Sequence, residues 1–213
     1  MSKRKIALFG GTFDPIHLGH TTVAEDAARR IGAEKTIFIP AKRSPLKGFL
    51  PSANDKHRLE MITLAIDEQK NFEVSDCELK KPAPSYTLET VRQFQDEYGG
   101  DTLIHWLIGA DSVGDLTYWY QIIELIDSCI LTSMYRAGCE LPDFTKYEPI
   151  WGPQRIEKLQ QNVIPTPLVD ISSTEIRERL AAGMDVTDML NPSVAEYIRK
   201  HGLYESKSTA NGE

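Results

Sequence analysis

His17 and His20 stand three residues apart with Gly19 between them, and Gly10-Gly11 lies just upstream. Two imidazoles on one face of a helix start, with no bulk between them, can donate to a phosphate group. The paired glycines let the backbone turn sharply and approach a ligand without a Cβ in the way. A new helix then points its free N–H groups at whatever sits in the turn. The dipole there contributes only about 0.3–1 kcal/mol. Charge-assisted donors, at about 1.5–3 kcal/mol each, must supply the rest, and the two histidines are the candidates. Alone, such a pair is an ordinary surface feature; behind a strand and a double glycine it reads as phosphate machinery.

A second anion site follows late in the chain. Ser172-Ser173-Thr174-Glu175 has the form of a capping box, with Ser172 as the cap and Glu175 reaching back, and Arg177 is one turn further on. Asp111, in Gly109-Ala110-Asp111, can accept from ribose hydroxyls or act as a plain helix cap. Lys42, Arg43, Lys47 and Arg136 offer charge to a small anionic substrate. No Ser-His-Asp or Cys-His spacing suggests a covalent step. GxGxxG and GxxxxGK[ST] are both missing, and the second strand ends in Pro40 without an acidic residue for a ribose, which disfavours a dehydrogenase and a P-loop NTPase.

The elements that must hold these residues are strands and helices in alternation. Apolar runs at 6–9, 36–39, 72–74, 103–108, 129–132 and 163–169 read as strands, the last a proline-bearing edge. Helical spacing covers 21–31, starts again near Asn54, precedes Gly99-Gly100, occupies about 120–126, and restarts at Ser172 and Ser193. Residues 137–153 show no period and read as a loop lobe. This order implies an α/β fold, a Rossmann-like doubly wound parallel sheet with helices on both faces. Ligands bind such sheets at the carboxyl ends of the strands, near a switch in strand order, which gathers residues 10–20, 42–47, 109–111, 136 and 171–177. Residues 1–205 read as one domain, and 206–213 as a polar, disordered tail.

A net charge of −7 disfavours a nucleic-acid partner. Three cysteines, Cys77, Cys129 and Cys139, without CxxC spacing, make neither a disulfide framework nor a zinc site. No apolar run approaches the roughly 18 residues of a membrane span, and no signal peptide is visible. The expectation is a cytoplasmic protein with no membrane partner; its oligomeric state is open.

Gly10-Gly11-Thr12-Phe13-Asp14-Pro15 followed by His17-Leu18-Gly19-His20 resembles the signature of nucleotidyltransferases with a histidine-x-glycine-histidine motif. Ile171-Ser172-Ser173-Thr174-Glu175-Ile176-Arg177 resembles the late motif of that superfamily, which closes on ATP phosphates. Ser85-Tyr86-Thr87, Gly109-Ala110-Asp111 and Trp119-Tyr120 look like the marks of bacterial nicotinate-nucleotide adenylyltransferases, enzymes of NAD biosynthesis. In the loop after the second strand, the usual Pro-Pro-His-Lys/Arg is here Ser44-Pro45-Leu46-Lys47, with Leu46 in place of the histidine.

The resemblance implies that His17 and His20 serve the ATP phosphates and Arg177 their β/γ end, with Ser172 assisting. ATP would also meet Gly10, Gly11, Thr12, Phe13, Gly19, Gly109, Asp111, Ile171 and Ser173. Nicotinate mononucleotide would meet Lys47, Ser85, Tyr86, Thr87, Trp119, Tyr120 and Arg136, with the indole stacked on the pyridine ring and backbone groups near Thr87 and Tyr120 on its carboxylate. Mg2+ would come with ATP, held by phosphates and water, with no protein ligand. The competing readings are a nucleotidyltransferase for pantetheine phosphate or nicotinamide mononucleotide, and a non-catalytic nucleotide-binding module.

Overall fold

Ile6-Ala7-Leu8-Phe9 is apolar on both sides of a period-two ribbon, so it needs cover on both faces. In the computed structural model, which describes residues 3–46 and 48–206, this run is the centre of β1 (Arg4–Gly11). Ile6 and Leu8 pack into one hydrophobic cluster, Ala7 and Phe9 into another. The chain continues through α1 (Leu18–Ile31), β2 (Lys35–Pro40), α2 (Asp55–Ile66), β3 (Phe72–Val74), α3 (Thr87–Tyr98) and β4 (Thr102–Gly109). A 3-10 segment (Ala110–Tyr118), α4 (Ile122–Ser128), β5 (Ile130–Arg136), α5 (Glu148–Trp151), α6 (Pro153–Gln161), β6 (Val163–Thr166), α7 (Ser173–Ala181) and α8 (Pro192–His201) follow.

The strands are parallel, in the order β3-β2-β1-β4-β5-β6. This is the doubly wound, Rossmann-like sheet that the alternation of elements implied. Helices α3, α4 and α6 cover one face through Val91, Leu125 and Ile156. On the other face α1, α2, α7 and α8 contribute Ala27, Met61, Ile176 and Val194. The winding reverses between β1 and β4, so the loops leaving these neighbouring strands diverge and open a crevice. Among the described residues no helix is long and apolar enough to cross a membrane.

Three local features differ from the sequence-based expectation. Helix α1 begins at Leu18 rather than Thr21, with His17 as its N-cap, so both histidines belong to the first turn. Residues 137–153, expected as a loop lobe, are loop only as far as Phe144. Phe144, Tyr147 and Trp151 are buried, the last two with ring centroids 4.3 Å apart, around a 3-10 turn and the one-turn α5. Elements that short show no period. At α8 the cap is Asn191, whose Oδ1 accepts from Ser193 N at 2.9 Å, rather than Ser193. Pro192 then takes the first helical position, where a missing N–H costs nothing.

Gly10 illustrates how the sheet constrains the turn. A Cβ there would overlap the indole of Trp106 on β4, the register partner of Leu8. The glycine is therefore required by a core aromatic, whatever a ligand asks of it. Gly10→Ala should cost about 1–3 kcal/mol by overpacking, read as a thermal midpoint lowered by roughly 2–4 °C per kcal/mol. An unchanged midpoint would show that Trp106 can give way.

Candidate nucleotide site

The turn after β1 carries unusual backbone. Phe13 adopts φ 47°, a left-handed conformation costly for a bulky residue unless its surroundings enforce it. They do. Its ring is 2% exposed and packs edge-on to Phe9 and His20, with centroids 5.6 and 5.0 Å away. Arg58 of α2, fully buried, donates from Nη1 to the Thr12 carbonyl at 2.7 Å. The Asp14 carboxylate accepts from Ser52 N at 2.6 Å, from Ala53 N at 3.0 Å and from the Tyr204 hydroxyl at 2.7 Å. Three segments distant in sequence, at 52–53, 58 and 204, thus converge on residues 12–14.

Held in this way, the turn delivers His17 and His20 with ring centroids 3.7 Å apart. His17 N donates to His20 Nδ1 at 3.3 Å, so in a neutral His20 the proton sits on Nε2, where it is a donor. His17 is 8% exposed, and its Nδ1 is buried without a hydrogen-bond partner. Burial pushes its pKa down to about 4, because a dry environment disfavours the charged imidazolium. At neutral pH His17 is therefore an uncharged donor or acceptor, not the charge-assisted one that the spacing suggested. Gly19 brings the chain against this ring; a Cβ there would lie 3.0 Å from His17 Nδ1.

A cavity of about 810 Å³ opens from this turn across the β1/β4 switch point. Gly10, Gly11, Thr12, Phe13, His17, Gly19 and His20 form one end of its wall. Gly109 and Asp111 border it after β4, Arg136 after β5, and Ile171 before α7. Ser85, Tyr86 and Thr87 also line it, together with Trp119 and Tyr120. The Tyr86 and Tyr120 rings lie 4.5 Å apart, and Trp119 Nε1 is buried without a partner. Tyr86 caps α3 with no side-chain hydrogen bond, which leaves the first N–H groups of that helix for another acceptor. The fold thus brings together residues separated by more than 150 positions.

Three expected site residues do not reach the cavity wall. Ser172 spends its hydroxyl on Glu175 N at 3.1 Å, as a cap should. Ser173 donates to the Pro15 carbonyl at 2.9 Å. Arg177 donates from Nη1 to the Asp14 carbonyl at 2.7 Å and from Nη2 to Thr174 at 3.2 Å. The start of α7 thus braces the back of the phosphate turn. Lys47 lies outside the described residues. Sequence reasoning also passed over Trp106, Arg58, Glu78 and Tyr204. Asp14 stood inside the quoted motif, but its partners at 52, 53 and 204 leave no local signal.

A glycine turn with paired histidines at the switch point of a parallel sheet defines a nucleotide-binding α/β protein. The chain belongs to the cytidylyltransferase-like family, whose model matches residues 8–179. A probable nicotinate-nucleotide adenylyltransferase of Methylacidiphilum infernorum (isolate V4) is 39% identical over 94% of this chain and 92% of its own length. That of Neisseria meningitidis serogroup B is 37% identical over 95% and 99%. Among solved structures, the nicotinic acid mononucleotide adenylyltransferase of Plasmodium falciparum complexed with NaAD shares the fold. It aligns with a TM-score of 0.71 at 19% identity, over 94% of this chain and 97% of that one.

Proposed function

We propose that the protein transfers the adenylyl group of ATP to nicotinate mononucleotide, giving nicotinate adenine dinucleotide and pyrophosphate in NAD biosynthesis. One observation carries this reading: a single cavity joins the His17/His20 turn to the Ser85–Thr87 and Trp119–Tyr120 walls. The relatives that match along nearly their whole length bear the name of this activity. We take residues 1–205 as one domain, and a cytoplasmic setting fits ATP as co-substrate.

The 5′-phosphate of the mononucleotide is already an anion, so its attack on the α-phosphorus needs no general base. Alignment of two bound anions can supply roughly 7–11 kcal/mol. The rest comes from neutralising charge on the pentacovalent centre and on the departing pyrophosphate. His20, through Nε2, and His17 act on the ATP phosphates, with the Gly10-Gly11 backbone bordering the same cavity. A phosphate beside His17 favours its protonated form and so works against the effect of burial. Arg177 holds the turn from behind and reaches the β/γ-phosphates only by exchanging its bond to the Asp14 carbonyl.

Magnesium belongs to the ATP in this reading. The cavity offers separate carboxylates, such as the exposed Asp111, rather than a converging cage, and among the described residues no group of three potential ligands is found. That donor set suits an ion that keeps its water and rides on phosphates; when bound, it offsets the negative charge of the leaving group.

The test is pyrophosphate release with ATP and magnesium, comparing nicotinate and nicotinamide mononucleotides. Faster turnover with nicotinate supports the reading; ATP binding without turnover of either leaves a nucleotide-binding module. Trp119→Ala should raise the KM for mononucleotide about tenfold or more, since stacking on an aromatic face contributes roughly 1–3 kcal/mol. Unchanged activity in that variant would point to a substrate without a ring, such as pantetheine phosphate.

A further inference from the structure

Glu78 is an acid in an unexpected place. It is 5% exposed, yet it lines the same cavity as Ser85, Tyr86 and Thr87, the residues that the proposed function gives to the mononucleotide. Its Oε1 accepts from the Thr90 hydroxyl at 2.6 Å. Thr90, 1% exposed, lies one turn into α3. On the other side of the α3 cap, Ser85 Oγ accepts from Lys42 N at 3.0 Å, and its hydroxyl favours the ionised form of Glu78. Ser85 N donates in turn to the Arg43 carbonyl at 3.0 Å. Glu78 is thus bonded to α3 one turn past Tyr86, while Ser85, just before Tyr86, is tied to the loop after β2.

We infer that Glu78 is a positioning residue for the pyridine end of the mononucleotide, and that it sets the preference between an acid and an amide on that ring. This rests on the proposed adenylyl transfer to a pyridine mononucleotide. Bracing alone would not require an ionisable group, since a buried amide could accept the same hydroxyl proton. An ionised carboxylate close to a bound carboxylate repels it in a cleft of low dielectric, whereas a neutral one does not, and an amide ligand is indifferent or attracted.

Burial is the main influence on Glu78 and raises its pKa. The Thr90 and Ser85 hydroxyls and the Lys81 ammonium oppose this, while Glu89 at the start of α3 adds to it. Cys77 beside it is itself pushed up by burial, so it adds no thiolate at neutral pH. The neutral form of Glu78 thus persists to higher pH than that of an ordinary carboxyl and is lost as pH rises further. The pocket is most welcoming to an acid at the low end of that window.

The experiment compares kcat/KM for nicotinate and nicotinamide mononucleotides from pH 5.5 to 8.5 in the wild type, Glu78→Gln and Glu78→Ala. The ratio of the two substrates cancels titration of their shared phosphate and of ATP. The expected result is a nicotinate preference that falls at least fivefold with rising pH in the wild type and stays flat in Glu78→Gln. Glu78→Ala should raise the KM for both mononucleotides about tenfold and leave that for ATP within twofold. The same pH profile in the wild type and Glu78→Gln, or mononucleotide KM values unmoved in Glu78→Ala, would overturn the assignment. A wild type that turns over neither mononucleotide would instead sink the adenylyl-transfer reading, and this assignment with it.

Discussion

His20→Ala should lower kcat by about 100- to 1,000-fold while the KM for mononucleotide stays within about threefold. The size follows from removing one pre-aimed donor to charge that develops in the transition state, a loss of about 2.7–4 kcal/mol. The selectivity follows from geometry. His20 stands on the β1 turn, whereas Ser85–Thr87 and Trp119, the walls assigned to the mononucleotide, come from other elements. Its ring is set before any ligand arrives, by Phe13 at 5.0 Å, by His17 at 3.7 Å and by the His17 N–H on Nδ1. A group so fixed loses little freedom when it acts, so its contribution appears in kcat rather than in binding. His20→Gln, which retains an N–H at altered reach, should recover part of the loss. Steady-state kinetics with each substrate varied checks this. A raised mononucleotide KM with kcat preserved would move His20 to the other substrate.

The phosphate end of the site was legible in the sequence because its chemistry is local. Gly10, Gly11, His17, Gly19 and His20 fall within eleven residues, between an apolar run and a helix. The sheet was legible for the same reason: parallel strands buried on both faces leave unbroken apolar runs. What could not be read is what depends on contacts across the fold. The neutrality of His17 comes from burial, which no spacing encodes. Ser172 caps α7 as its motif implies, but Ser173 and Arg177 turn to the Pro15 and Asp14 carbonyls, which lie far off in sequence. The aromatics between 144 and 151 fold a segment too short to show a period.

Asp14→Ala should lower stability by roughly 3–5 kcal/mol, because three donors lose their acceptor at once, and the two less exposed ones, Ala53 N and the Tyr204 hydroxyl, cost about 1–3 kcal/mol each when unpaired. Asp14 is 4% exposed and accepts from Ser52 N, Ala53 N and the Tyr204 hydroxyl. The Tyr204 phenol is held far above its usual pKa by burial and by the Asp14 charge, so it remains a donor at every working pH. In a chain of this size the thermal midpoint should fall by roughly 10 °C or more. Asp14→Asn separates shape from charge. The amide matches the carboxylate in outline, but its NH2 must face one of the two backbone N–H groups, so its loss should be intermediate. Tyr204→Phe removes one donor and leaves Asp14 Oδ1 with Ala53 N; about 0.5–1.5 kcal/mol is expected. The functional consequence follows from position. Asp14 is three residues before His17, and its own carbonyl anchors Arg177, so loosening it frees both the histidine pair and the start of α7. At a temperature where Asp14→Ala is still folded, kcat should therefore fall while the mononucleotide KM changes little. Thermal melts with and without ATP, followed by kinetics below the transition, distinguish the cases. A midpoint within about 2 °C of the wild type would mean that the turn keeps its shape without the carboxylate.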